Sequence, residues 1–417
     1  MWPPASAGSV DRPRYRAGVS ALEPLRHRPF RLVWSGSLVS NIGTWMQAAA
    51  LGYYTAHLTQ SAGWSALVAA GEFAPTALLG PIGGAIADRY SRRTVFLTAT
   101  LVQGALAAAL TAAMALGRPG APVLAVFALA NGCVFALGFP SYGAILPSLV
   151  PKELLPGAIG LSSASWNLGR VVGPLIGTLL YQATSIAWVL AVNALSFLAT
   201  AAALATVRIT EAERKPSPLL ASIVAGFRFV RSDAGLRLNA GAICLNALCV
   251  APFIGLIPAM VEKEFGGGKA AVGWLIAGQG IGAVGTGAVF GMISNRYGVR
   301  RVLVWAMASN PVALILYALA PNAVVALPPI VACGSLYFFV LSATNTIANL
   351  RAPADLLGRV LSLNQVMLGG VYAISLNLEG QLGDRLGLRE VSVGGAVLGL
   401  VVLGGFRMFR PGLSAEI

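Results

Sequence analysis

Gly84-Ala85-Ile86-Ala87-Asp88-Arg89-Tyr90-Ser91-Arg92-Arg93 is answered by Gly291-Met292-Ile293-Ser294-Asn295-Arg296-Tyr297-Gly298-Val299-Arg300-Arg301, half a chain length away in 417 residues. Each basic loop follows one long apolar run and precedes another. Two further landmarks keep the same order at nearly the same offset. Phe30-Arg31-Leu32 pairs with Leu236-Arg237-Leu238, and Val150-Pro151-Lys152-Glu153-Leu154-Leu155 pairs with Ala352-Pro353-Ala354-Asp355-Leu356-Leu357. Self-similarity at half the chain length marks a duplicated fold.

The chain is 56% hydrophobic and 11% charged, with a mean hydropathy of +0.74. A soluble domain carries about 25% charged residues, so most of this chain cannot face water. Apolar runs recur from about 31–56 to about 391–407. Each is long enough to cross a ~30 Å hydrocarbon core as a helix. Lipid offers backbone groups no partner, which favours helices. The short alternating segments of a membrane barrel do not occur. The expected fold is an all-α membrane protein with twelve transmembrane helices in two pseudo-symmetric six-helix bundles. The bundles are expected over residues 21–208 and 237–410, with a cytoplasmic linker over 209–236. Residues 1–20 read as a disordered cytoplasmic tail without the apolar stretch of a cleavable signal peptide, and 411–417 as a second tail.

The net charge of +14 could suggest nucleic acid, but its distribution argues for membrane topology. With an even number of spans, most Lys and Arg fall on one side: the N-tail, both repeated loops, the linker and the C-tail. This is the positive-inside pattern. It puts both termini and both loops in the cytoplasm and makes the lipid bilayer, not nucleic acid, the partner of the charge. Within the linker region, Leu219, Ile223, Phe227 and Val230 recur at helical spacing beside Arg228 and Arg231. They read either as an amphipathic helix on the membrane surface or as the lead-in to the seventh span.

Cys133, Cys244, Cys249 and Cys333 all fall inside apolar runs, and neither His27 nor His57 has a second ligand nearby. No metal and no cofactor are expected. No phosphate-binding G-x-x-x-x-G-K-[ST] occurs and no catalytic constellation appears, so the chain reads as no enzyme and no ATP-driven pump.

In the first basic loop, Gly84 lets helix ends approach. Asp88 can pair with Arg89, Arg92 or Arg93, or accept from a helix N-terminus. The loop reads as a latch that closes the inner face, against the plainer reading of a positive-inside loop. The second copy keeps Gly291, Arg296, Arg300 and Arg301 but has Asn295 for the acid. The fifth span carries Gly160, Gly169, Gly173-Pro174 and Gly177. Glycines four apart share a face and admit another helix to backbone contact, and Pro174 permits a kink.

On these residues the chain resembles the major facilitator superfamily over about 25–410. The first loop is similar to that superfamily's G-x-x-x-D-R-x-G-R-R signature, with Ser91 where glycine is usual. The fifth span is similar to its antiporter signature, G-x8-G-x3-G-P-x2-G. Ser40-Asn41-Ile42-Gly43-Thr44-Trp45-Met46-Gln47 resembles the branch that contains the enterobactin exporter and macrolide efflux proteins. The resemblance implies a monomeric secondary transporter of the bacterial inner membrane. It implies export of a small organic molecule by alternating access, with protons as the coupling ion. Proton-coupled or facilitated uptake and a non-transporting sensor are the other readings.

Charges inside a membrane cost several kcal/mol unless paired or wet, about 2.5–3.5 on insertion scales. Glu72, Arg170 and Glu379 are therefore the first candidates for substrate or proton binding. Glu72 reads either as a cavity-facing site for a proton or cation, or as half of an ion pair with Arg170. Arg170 could instead hold an anionic substrate. Glu379 reads as an outer-rim residue with water access. Asn41, Trp45, Gln47, Asn131, Asn246 and Asn364 are polar or aromatic candidates for the cavity wall, with Asn239, Asn345 and Gln365 behind them. Each has helix–helix hydrogen bonding as its alternative.

Overall fold

The computed structural model describes residues 22–207 and 219–409, and every regular element in them is helical. The expected tails and the first part of the linker, 209–218, lie outside the described residues. The first half holds α1 (Arg28–Thr59), α2 (Ala62–Arg89), α3 (Arg92–Leu116), α4 (Ala121–Ile145), α5 (Leu155–Ala183) and α6 (Ile186–Thr206). After α7 (Leu219–Ser232), the second half begins with α8 (Ala234–Cys249), α9 (Phe253–Met260) and α10 (Gly268–Tyr297). It ends with α11 (Val299–Ala318), α12 (Ala323–Arg351), α13 (Ala354–Leu386) and α14 (Leu388–Phe409).

Among the described residues, 10 helical stretches are long and apolar enough to cross a membrane, with α8 and α9 joined in one stretch, Ala234–Phe265. α1 and α5 fall outside that set although they are 32 and 29 residues long. The reason is their polar faces. Ser37, Ser40, Asn41 and Thr44 of α1 and Ser162, Ser163, Asn167 and Arg170 of α5 line a cavity. The expected spans thus divide into apolar helices and two that turn polar residues to the cavity.

Local chemistry sets the turns. Gln60 takes a left-handed φ of 49° to end α1, and the Ser61 hydroxyl accepts from the Trp64 N–H to start α2. Asp233 caps α8 in the same way through the Leu236 N–H at 2.7 Å. The seventh span, expected as one run, breaks between α8 and α9 because Pro252 has no N–H to continue the helix. A π-helical turn over Val261–Phe265 follows. Gly266, Gly267 and Gly268, with φ of 67°, 90° and 63°, then reverse the chain into α10. The stretch expected as amphipathic does form a helix, α7. Its Val230 is buried against Leu236 and Val360, while Phe227 is exposed; the side chains of Leu219 and Ile223 lie outside the described ones.

The packing is duplicated as the repeat requires. α1 packs on α5 and α6, α3 on α4 and α6, and α2 on α4. In the second half α8 packs on α13 and α14, α11 on α12 and α14, and α10 on α12. Between the halves α2 meets α13 and α5 meets α10, so exchanging the halves maps one contact onto the other. In α5 a Cβ on Gly173 would lie 2.7 Å from the Ile42 carbonyl oxygen, and one on Gly177 would lie 2.8 Å from the Met46 Cα. Gly169 meets Asn41 similarly, so these glycines set the α1–α5 distance. Gly160 has nothing within 4 Å and takes no part in that contact.

The apolar core is uneven along the helices. At the end opposite the basic loops, Met46, Leu51 and Tyr53 of α1 belong to one buried cluster with Phe253, Leu256 and Met260 of α9. At the basic end each half keeps its own cluster. One holds Phe30, Val33, Leu146 and Leu204, and the other holds Val230, Leu236, Ala348 and Val360. The halves are sealed together at one end and separate at the other.

Candidate functional site

Between the halves lies a cavity of about 740 Å³. It runs from mid-depth, at Arg170 and Tyr372, to Phe96, Leu146 and Ile159 near the basic end. Its wall is aromatic. Trp166 of α5 sits 5.7 Å from Trp45, 5.8 Å from Phe135 and 5.8 Å from Phe139, centroid to centroid. Phe73 extends the wall at 5.9 Å from Trp45. Tyr142 carries it toward the basic end, 5.4 Å from Phe96. Phe135, Phe139 and Tyr142 are spaced by one helical turn each, so α4 presents them as a stripe. Tyr337 of α12 and Tyr372 of α13 line the opposite side. Arg170 is the one charged residue among those lining this cavity.

Arg170 does not pair with Glu72. Its Nη2 donates to Gln279 Oε1 of α10 at 2.7 Å, across the two halves, and its guanidinium lies 5.6 Å from the centre of the Trp45 ring. This replaces the ion pair considered from the sequence: each charge finds a different polar neighbour. Glu72 lies within hydrogen-bonding reach of Gln47, whose Oε1 accepts from Asn193 Nδ2 at 2.9 Å. Glu72, Arg170, Gln279 and Tyr372 share the lining of a smaller void of about 60 Å³ that adjoins the main cavity.

The other expected site residues divide. Asn41 and Trp45 line the cavity, and so does Gln365; Asn41 also donates to Ser165 Oγ at 3.0 Å, tying α1 to α5. Gln47 is buried behind the wall, where it accepts from Asn193. Asn131 accepts from Gln103 at 3.3 Å between α3 and α4. Asn131, Asn239, Asn246 and Asn364 are buried outside the cavity lining, and Asn345 is exposed. Glu379 is partly buried between α8, α13 and α14, beside Ser375 and Gly395, and does not line the cavity.

At the basic end Asp88, Arg89, Asn295 and Arg296 are exposed, and Gly84 and Gly291 have nothing within 4 Å of a built Cβ. The close approach to α4 is made by Gly83, against Ala136 and Leu137. Arg92 donates to Ala144 O at 3.0 Å, and Arg93 to Leu204 O and Ala205 O at 2.8 and 3.0 Å. These carbonyls are in the last turns of α4 and α6, so both arginines cap helix C-termini in their own half. Arg296 lies over its neighbour Tyr297 at 5.3 Å, and Arg300 is partly buried.

The opposite end is clasped. Asp384, at the end of α13, accepts from Ser61 Oγ at 2.5 Å, the Ala62 N–H at 2.7 Å and the Gly63 N–H at 3.0 Å. Lys263 Nζ donates to the same carboxylate at 2.9 Å. Glu262 accepts from Gln60 at 2.9 Å and is 2.8 Å from His57 Nδ1. Arg389 pairs with Glu264 at 3.0 Å beside them. The sequence held a signal for this clasp. Gly380-Gln381-Leu382-Gly383-Asp384-Arg385 repeats the G-x-x-x-D-R spacing of Gly84 to Arg89. Gly380 lets α13 sit on α2: a Cβ there would lie 2.6 Å from the Ala66 Cβ and 3.2 Å from the Gly63 Cα.

Residues 19–414 match the model of a family described as transmembrane secretion effector. Among curated proteins, macrolide efflux protein A of Streptococcus pyogenes is 24% identical over 371 residues, covering 87% of this chain and 91% of that one. The enterobactin exporter EntS of Shigella flexneri is 25% identical over 356 residues, covering 80% and 82%. The fold is similar to a bacterial homologue of the lysosomal transporter Spinster, solved inward-facing and unoccupied. That match has a TM-score of 0.72 at 16% identity and covers 94% of this chain and 98% of that one. A peptide transporter of the POT family gives 0.76 at 12% identity, covering 93% and 95%.

Proposed function

The chain belongs to the transmembrane secretion effector family of the major facilitator superfamily, and from that premise we propose that it exports a small organic molecule across the bacterial inner membrane by alternating access. The observation that carries this reading is the aromatic cavity between the halves, open toward the basic end and closed by the Asp384 clasp at the other. With the basic loops and both termini in the cytoplasm, this form receives solute from inside. Rocking of the halves would then expose the same cavity outside. The names of the curated relatives, macrolide efflux and enterobactin exporter, favour outward transport of a drug- or siderophore-like molecule.

Protons are the proposed counter-ion. Glu72 supports this: it shares a small void with Arg170 and Tyr372 between the halves, and among the described residues it makes no ion pair with Arg170, which bonds Gln279 instead. A carboxyl so placed can hold or release a proton as the halves move. Its neighbours at the void, Arg170 and Tyr372, are the other titratable groups there. The chain is proposed to act as a monomer, with its two halves supplying the two walls.

The inner latch is proposed to mirror the outer clasp. α2 and α13 pack antiparallel, each ends in G-x-x-x-D-R, and that of α13 lies beside the start of α2. When the inner face closes, Asp88 would take the N-terminus of α13 as Asp384 takes that of α2. Flux in proteoliposomes tests the function, using siderophores, macrolides and small metabolites with and without a pH gradient. Solute efflux driven by an opposing proton gradient is expected; flux indifferent to the gradient overturns antiport, and no flux of any solute overturns transport.

A further inference from the structure

Where the cavity meets the smaller void at mid-depth, three buried donors lack an acceptor: two belong to Arg170 and Trp45, which line both spaces, and one to Gln279, which lines the void alone. Arg170 gives one N–H to Gln279 Oε1, while its buried Nε has no partner. That bond also fixes the Gln279 amide, because only the oxygen can face a guanidinium. The amide's Nε2 is therefore turned away, and it too is buried without a partner. Trp45 Nε1, beside the same guanidinium, is a third buried donor without an acceptor. Buried donors are normally satisfied, and groups left over ask for a ligand or water that brings acceptors. Glu72 lines the same small void, but among the described residues no hydrogen bond or ion pair joins it to these donors.

We propose that Arg170 and Trp45, with Gln279 behind them at the smaller void, form a subsite for the anionic end of an aromatic organic acid, whose ring lies on Trp166, Phe135 and Phe139. The inference rests on the reading of this cavity as the solute's path and adds the solute's chemistry. A carboxylate, phenolate or sulfonate supplies several lone pairs to three orphan donors and a counter-charge to Arg170. The flat ring matches an aromatic wall whose centroids are 5.7 and 5.8 Å apart. An organic cation would meet Arg170 with no carboxylate in the main cavity to balance it.

Binding to the purified full-length protein in detergent, measured by calorimetry, tests this apart from transport. The probes are naphthoate, naphthamide and naphthylmethylamine, which differ in one group on the same ring. Naphthoate is expected to bind at least about tenfold more tightly than the amide, as a charge-assisted bond to a buried donor implies, and the amine more weakly still. R170Q is expected to abolish the difference, R170K to retain part of it, and W45F, which keeps an aromatic ring but loses the donor, to weaken naphthoate about threefold. Amine binding as tight as naphthoate, no naphthoate binding, or a preference that survives R170Q would each overturn the subsite. Should R170Q fail to fold, the wild-type ranking and W45F still decide. Flux without anion preference would sink the subsite and leave export standing; anion binding without flux would do the reverse.

Discussion

Replacing Asp384 by Asn should open the outer face. The carboxylate takes four donors: Ser61 Oγ, two backbone N–H groups at the start of α2, and Lys263 Nζ. Bonds to a charged acceptor are worth about 1.5–3 kcal/mol net, and neutral ones about 0.5–1.5. Asn keeps one acceptor oxygen and no charge, so each surviving bond weakens by about 1 kcal/mol and one is lost. The helix N-terminus adds about 0.3–1 kcal/mol for an anion. The side chain is 28% exposed, and water screening takes back roughly half of the sum. A net loss of about 2 kcal/mol remains, which shifts the balance of outer-open to outer-closed molecules about 30-fold. The assay is electron–electron distance measurement in bilayer discs between spin labels at Leu58→Cys and Leu386→Cys, positions exposed on opposite halves of that end. A long-distance population should grow in D384N. A ratio of long to short distances within threefold of wild type would refute the clasp.

Asp88→Asn should act with the opposite sign, depleting the outer-open state in the same distance measurement; a shift in the same direction as D384N sinks the mirrored-latch idea. Glu72→Gln should uncouple flux from the pH gradient while leaving solute exchange intact, and wild-type coupling would remove Glu72 from the proton path. Trp166→Ala removes the ring that touches Trp45, Phe135 and Phe139, so solute affinity should fall about tenfold at roughly 1–1.5 kcal/mol per aromatic contact; unchanged binding would mean the aromatic wall is not the path. Gly173→Val forces α5 off α1 at Ile42 and Trp45, at about 1–3 kcal/mol of overpacking. A lowered unfolding temperature by size-exclusion after heating should follow, with no change for Gly160→Val.

Much of the fold was legible in the chain. Apolar length and the half-chain repeat required a duplicated helical membrane protein, because neither water nor a barrel could accommodate those runs. The glycines at 169, 173 and 177 announced a close helix contact, since a missing Cβ has that use in lipid. What composition could not convey was which face of each helix is wet. α1 and α5 are less apolar than their neighbours for one reason, the cavity, and only packing reveals it. The aromatic stripe of α4 and Trp166 carry no mark of a cavity in the sequence, because aromatic spacing is the same whether it meets lipid, protein or an empty cleft.

The basic loop at Gly84 shows the same division. The sequence by itself determined that the chain carries a half-length repeat, that its basic loops lie between apolar runs, and that a glycine, an acid and an arginine are set at one spacing near a helix end. Tertiary structure decided which carboxylate is engaged. Asp88 stands exposed, while Asp384, in a second G-x-x-x-D-R on the antiparallel neighbour, holds the start of α2. It also decided that Arg170 faces Gln279 rather than Glu72. Partners across a pseudo-twofold axis come from distant stretches of chain, and spacing along one helix carries no information about which helix will lie opposite.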